Sequence, residues 1–115
     1  MSDQRTGSLP DDHRVNRQFS AYNDHLLDEF VNCFAPSIRC TTGDGTVRAE
    51  GHEQLRALYA PLLAIPGRRA TLLNRIAAGD WVVDHELVTA DDDRFEAIVA
   101  YHLVEGEIVE MRILD

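Results

Sequence analysis

Three ionisable side chains follow one another in the stretch DWVVDHELV: Asp84, His85 and Glu86. The stretch reads as a strand, and a strand sends neighbours to opposite faces, so one face receives the imidazole and the other receives both carboxylates. If the carboxylates face a core, they are poorly solvated and near enough to repel each other. Both effects raise a carboxyl pKa toward neutrality, where a general acid or base works. If the imidazole faces the core instead, His85 is the base. Two phenols, Tyr22 and Tyr101, sit in apolar patterns, and either could donate a hydrogen bond to an oxyanion or enolate. The plainer alternative is an acidic pair held by a pocket hydroxyl or by Arg75, with phenols that only complete the core.

These side chains need a frame. Residues 1–7 have the composition of a disordered lead-in, and a single domain spans 8–115. SLPD carries the marks of a helix start, with Ser8 as N-cap, Pro10 in the first turn and Asp11 and Asp12 against the dipole. Val15, Phe19, Tyr22 and Leu26 then fall on one stripe. Asn23 and Asp24 interrupt it, and Leu27, Phe30, Val31 and Phe34 begin another. The spacing predicts helices over about 9–23 and 25–34, closed by Pro36. Ser37 to Thr42 alternates and runs into the GDG turn, so it reads as a short strand. EGHEQLRALYAPLLAIPG follows, capped by Gly51, with Leu55, Leu58, Tyr59, Leu62 and Leu63 on one helical face. Beyond Gly67, four strands are joined by the short turns GD, DDD and EG, which makes an antiparallel meander. Helices first and sheet last give an α+β fold with the helices on one face of the sheet.

In the last two strands, Phe95, Ala97, Val99, Tyr101 and Leu103 form an apolar face with Val109, Met111 and Ile113. That face should meet the helices. The opposite set, Glu96, Ile98, Ala100, His102, Ile108, Glu110, Arg112 and Leu114, mixes aliphatic and charged side chains. Such a surface suits a homodimer formed through the outer sheet face. The DDD hairpin leaves the central strand open. A two-residue turn at Asp92-Asp93 sets Glu86 opposite Val99 and Asp84 opposite Tyr101, both carboxylates inward; a three-residue loop sets His85 opposite Val99.

Eleven basic against twenty acidic side chains leave a net charge of −9, a field that repels nucleic acid and anionic membrane surfaces. The least polar run, Ala57 to Gly67, is broken by Pro61 and Pro66 and is too short to span a bilayer. No apolar signal core precedes the first helix, so the reading is cytoplasmic, with Cys33 and Cys40 as buried thiols. Metal spacing is lacking: His13, His25 and His52 are scattered on helices and expected in solvent, and GDGT and DDD read as turns.

The phrases FSAYNDHLLDEFVNCFAPSIRC, EGHEQLRALYAPLL, WVVDHELV and AYHLVEGEIVEMRIL, over about residues 12–115, resemble the nuclear transport factor 2-like superfamily. The similarity is to its branch of ketosteroid isomerases, limonene epoxide hydrolases and SnoaL-type polyketide cyclases. It implies a cone, three helices closing over a strongly curved, mostly antiparallel sheet, with a pocket between them and a dimer through the outer sheet face. Tyr22 falls on the oxyanion-hole tyrosine of the isomerases, whose neutral acid is a worked example of pKa tuning. Thr42 stands where their base aspartate would be and Val99 where their protonated aspartate would be. The epoxide hydrolases' cavity arginine and two aspartates fall on Glu86, Val88 and Ile113, so neither catalytic set is present. In both relatives the positions of Asp84 and Glu86 look into the cavity, which implies inward carboxylates, with His85 outside near Glu96 and His102.

The resulting expectation is proton transfer on a small, mainly apolar substrate, an isomerisation, dehydration or ring closure without a cofactor. Glu86, Asp84, Tyr22 and Tyr101 are its candidate catalytic groups, His85 the runner-up, and Tyr59, Val99, Met111 and Ile113 line the pocket. A non-catalytic ligand-binding domain and a dimeric scaffold of the same fold are the competing expectations.

Overall fold

The computed structural model describes residues 9–114. The lead-in over 1–7 and Ser8 lie outside the described residues. Three helices pack on one face of a six-stranded sheet: α1 (Arg14–Asn23), α2 (Leu27–Asn32), β1 (Phe34–Thr42), β2 (Val47–Glu50), α3 (Gly51–Leu63), β3 (Arg69–Ala78), β4 (Trp81–Ala90), β5 (Asp93–Val104) and β6 (Glu107–Leu114). Strand order is β2-β1-β6-β5-β4-β3. The β3–β6 meander is antiparallel, as its short turns require, and the parallel β1–β6 pair makes the sheet mixed.

Both leading helices are shorter than their stripes. Helix α1 begins at Arg14 because Pro10 to His13 forms a turn, and the His13 imidazole, not a serine, accepts the Val15 N–H at 3.1 Å as N-cap. It ends at Asn23, and His25 adopts a left-handed φ of 61°, so Leu26 leaves the stripe and is exposed. Phe34 belongs to β1 rather than to α2, and Pro36 does not end an element. It sits within β1 where the pairing with β6 jumps from Phe34–Ile108 to Arg39–Glu110, a bulge that spares a residue without an N–H from the ladder.

The core lies between helices and sheet. Val15, Phe30, Val31, Ile38, Leu55, Ile108 and Met111 are fully enclosed. Phe30 is its hub, with ring centroids 4.6 Å from Tyr59 and 5.0 Å from Phe34. One expected member changes places. Tyr101 pairs with Met111, but Leu103 pairs with Ile108, so Val109 is an extra residue in β6. The bulge turns Ile108 into the core and leaves Val109 half-buried outside.

Neither hairpin register weighed from the sequence is the one adopted. The turn is Asp91-Asp92, with Asp91 at a left-handed φ of 53°, and it sets Ala90 opposite Asp93, Glu86 opposite Ala97 and Asp84 opposite Val99. This differs by two residues from the carboxylate-inward alternative. A two-residue slip preserves the face, so Asp84 and Glu86 do point beneath the helices and His85 points away.

Candidate functional site

Between the helices and the concave face of the sheet lies a cavity of about 220 Å³. An apolar cavity of roughly 150 Å³ holds benzene, so this one has room for a ring with substituents. Val99, Met111 and Ile113 line it from β5 and β6, and Tyr22 and Tyr59 from α1 and α3. These are positions expected from the sequence, and Tyr101 and Glu86 join them. Phe95, 46% exposed, stands where the cavity meets solvent.

Glu86 is its one acidic lining residue. The side chain is 8% exposed, and the groups acting on its carboxyl do so through space, with no hydrogen bond among the described residues. Burial, then the nearby Asp84 charge, push its pKa from the ordinary 4.5 up to about 7, with Arg75 pulling the other way. A buried carboxyl without a partner, facing an apolar hollow, is a reservoir for one proton near neutral pH.

Asp84 is placed differently. It is wholly buried but is not a lining residue; Arg75 donates to both of its oxygens, Nε at 2.6 Å and an Nη at 2.8 Å. Arg75 also donates to Asn16 of α1. With both oxygens engaged, Asp84 cannot reach a ligand, so it acts on the site through its charge and by anchoring β3 and β4 to α1. Its partner reaches the core through a bulge. Leu72 pairs with Glu86 and Asn74 with His85, leaving Leu73 as an extra residue. The changed phase turns Arg75 inward and leaves Ile76 61% exposed, against what hydrophobicity alone would choose.

The phenols are all held in the neutral form. Burial raises the Tyr22 hydroxyl, opposed by Arg68, whose Nε–H donates to the phenol oxygen at 2.6 Å. The Tyr22 proton is then free for another acceptor, and a cationic donor on its oxygen strengthens that donation. Burial also raises Tyr101, with Glu86 and Asp84 adding to the effect; its oxygen accepts from Gln18 at 3.0 Å. Tyr59, raised chiefly by burial, contacts the Met111 sulfur at 3.8 Å.

His85 lies on the outer face. Asn74 donates to its Nδ1 at 3.1 Å, so Nε2 carries the hydrogen and donates to Glu96 at 2.7 Å. The three histidines expected in solvent, His13, His25 and His52, are not free there. Each is half-buried and satisfies backbone: His13 caps α1, His52 meets the Phe34 carbonyl at 2.7 Å, and His25 meets the carbonyls of Leu63 and Arg68, both at 2.9 Å. Among the described residues, no three His, Cys, Asp or Glu side chains converge as metal ligands, and Cys33 and Cys40 are free and buried.

Sequence reasoning missed Arg68 and Gln18. Gln18 was readable, because it sits three residues after Val15 on the buried side of α1. Arg68 follows the Pro66-Gly67 turn, where no periodicity announces a direction. Thr42 lies off the cavity, its hydroxyl bonded to Asp44.

Residues 15–111 match the family described as SnoaL-like domain. No curated protein matches the chain. Among solved structures, an uncharacterised cystatin-fold protein from Novosphingobium aromaticivorans shares 20% identity, with a TM-score of 0.83 over 94% of this chain and 100% of that one. A candidate polyketide cyclase from Sinorhizobium meliloti shares 20% identity, TM-score 0.76, over 91% and 94%. A candidate ketosteroid isomerase from Kribbella flavida shares 21%, TM-score 0.71, over 88% and 73%. At these identities the likeness is one of fold. No described helix is long and apolar enough to cross a membrane.

Proposed function

This chain belongs to the SnoaL-like domain family, and from that premise we propose that it transfers a proton on a small, mainly apolar carbonyl substrate, as an isomerase or cyclase does. The observation that carries the reading is the Glu86 carboxyl, buried without a partner among the described residues in a cavity lined mostly by aliphatic and aromatic side chains. Glu86 in its ionised form takes the proton from the carbon beside the carbonyl. The electron pair moves onto the carbonyl oxygen, where the Tyr22 O–H, backed by Arg68, stabilises the enolate. Glu86 then returns the proton at another carbon, or the enolate carbon adds to a second carbonyl of the same molecule, whose π bond opens to an alkoxide that takes the proton back from Glu86. Proton transfer of this kind needs no group beyond these side chains. Tyr101 and Tyr59 hold the ring of the substrate, and Asp84 keeps Glu86 basic enough to accept a proton.

The fold likeness to a candidate cyclase and a candidate isomerase supports this reaction class. The assembly we propose is a homodimer through the outer sheet face, which leaves the cavity free on the opposite side of the sheet.

Exchange of the protons beside the carbonyl in deuterated buffer, followed by NMR across a panel of small cyclic ketones, enones and apolar oxo acids, tests the chemistry. The parent should accelerate exchange on at least one member. Glu86→Gln should lose about 10²–10⁴-fold while keeping its circular dichroism. A Glu86→Gln variant that exchanges as fast as the parent sinks the assignment, and a parent that binds members of the panel without exchange is a binding domain instead.

A further inference from the structure

Among the described residues the cavity is lined by one cation as well as one acid, and that cation has no acidic partner there. Arg68 lines the cavity beside Phe95, its guanidinium carbon 5.8 Å from the ring centroid. Its Nε–H is committed to Tyr22, while among the described residues no carboxylate lies within ion-pair distance of it. This chain carries twenty acidic side chains against eleven basic ones, so the vacancy does not come from a shortage of acids. Tyr22 fixes one edge of the guanidinium and Phe95 packs near its face. The remaining edge, the pair of Nη groups, offers parallel N–H donors whose spacing matches a carboxylate. The connection behind it is held by His25, which bonds to the Arg68 carbonyl at 2.9 Å.

We propose that the ligand of this cavity carries a carboxylate, which the Nη edge of Arg68 receives at the rim while its apolar body enters between Tyr22, Tyr59 and Val99. The substrate class is thus a small apolar oxo acid rather than a neutral ketone. This rests on the proposed function for the chemistry, but not for the binding. The Tyr22 phenol stands between the two charged groups: Arg68 is bonded to its oxygen, and Glu86 acts on it through space. An acid anchored on Arg68 would lay its carbonyl against the Tyr22 proton and the neighbouring carbon toward Glu86.

Cinnamate and methyl cinnamate share one apolar body and differ at the carboxyl, charged in the acid and capped by a methyl in the ester, and calorimetric titration of both near pH 7.5 tests the proposal. The parent should bind the acid at least about tenfold more tightly than the ester, the effect of one charge-assisted contact. Arg68→Gln should abolish that preference, read as the ratio of acid to ester affinity within the variant, and Arg68→Lys, which keeps the charge without the fork, should retain part of it. Glu86→Gln should keep the preference, so a failure of the proton chemistry and a failure of this inference are read from different variants. Equal binding of acid and ester by the parent overturns the inference without needing any variant. So does binding of neither, or an equal loss of both in Arg68→Gln.

Discussion

Two carboxylates on one face of one strand, two residues apart, have come to opposite uses. Asp84 is held by Arg75 in a dry, two-point pair, and removing either partner alone would leave the other buried without its counterpart, typically a loss of about 3–5 kcal/mol. Glu86 has no such partner, and pH exposes the consequence. Its folded pKa, about 7, lies above the ordinary 4.5, so between those values the folded chain holds a proton that the unfolded chain has released. Stability contributed by the neutral carboxyl is therefore full below about pH 4.5, falls through the window and is gone above about pH 7. Glu86→Gln removes the titration. Urea unfolding of parent and variant at pH 5 and pH 8 should show the variant gaining on the parent at the higher pH, by on the order of 2–3 kcal/mol. An unchanged difference between the two pH values would mean that Glu86 titrates as an ordinary exposed acid. The residue types left the face of Glu86 open, and the family resemblance turned it toward Tyr22 and Tyr101 in expectation. Neither could separate the paired acid from the unpaired one, because that depends on which residue of β3 stands opposite.

At the scale of elements, the limit of the sequence was phase. Four strands and their turns were legible from alternation and from GD, DDD and EG, and the third helix from its leucines. Alternation, however, assumes an unbroken ladder. Leu73 and Val109 each add a residue, and nothing in LLNR or IVEM marks the insertion; hydrophobicity favours the unbroken ladder in β3, with Ile76 in and Arg75 out, and is indifferent between Ile108 and Val109 in β6. These bulges bring in Arg75 and Ile108 and bend the sheet around the cavity. The connection between α3 and β3 is governed by a residue expected in solvent. His25 spans Leu63 and Arg68 with its two ring nitrogens, and a neutral ring can donate to only one of the two carbonyls. His25→Ala leaves both without that partner. Backbone amides over residues 64–68 should then exchange with deuterium several-fold faster, while those of β4 and β5 stay protected, and overall stability should fall by about 1–3 kcal/mol. Unchanged exchange in that segment would remove His25 from the support of the cavity rim.

For the molecule as a whole, the sheet has two faces and the helices cover one. On the other, Ile76, Trp81 and Ile98 are exposed, 61%, 39% and 40%, and Trp81 stacks on His102 at 4.6 Å. Val83, Ala100 and Leu114 fill the space between them, since Val83 pairs with Ala100 and Ile98 with Leu114. An apolar strip of this kind across the centre of a sheet, rimmed by Glu96, Glu110 and Arg112, is uncommon on a monomer and has the plan of an interface core with a polar border. A two-fold axis through Ile98 would set like residues against one another, so one charge there is repeated across the axis in a dry setting. Sedimentation velocity at about 50 µM, well above the dissociation constants usual for specific dimers of standard size, should show the parent at twice the chain mass. Ile98→Asp should sediment as a monomer with unchanged circular dichroism and should still bind cinnamate, because the cavity lies on the far side of the sheet. A parent that stays monomeric there would leave the strip without an occupant. A variant that dissociates and also loses the ligand would instead tie the site to the partner, and Glu86 would then be working in a cavity whose shape the second subunit maintains.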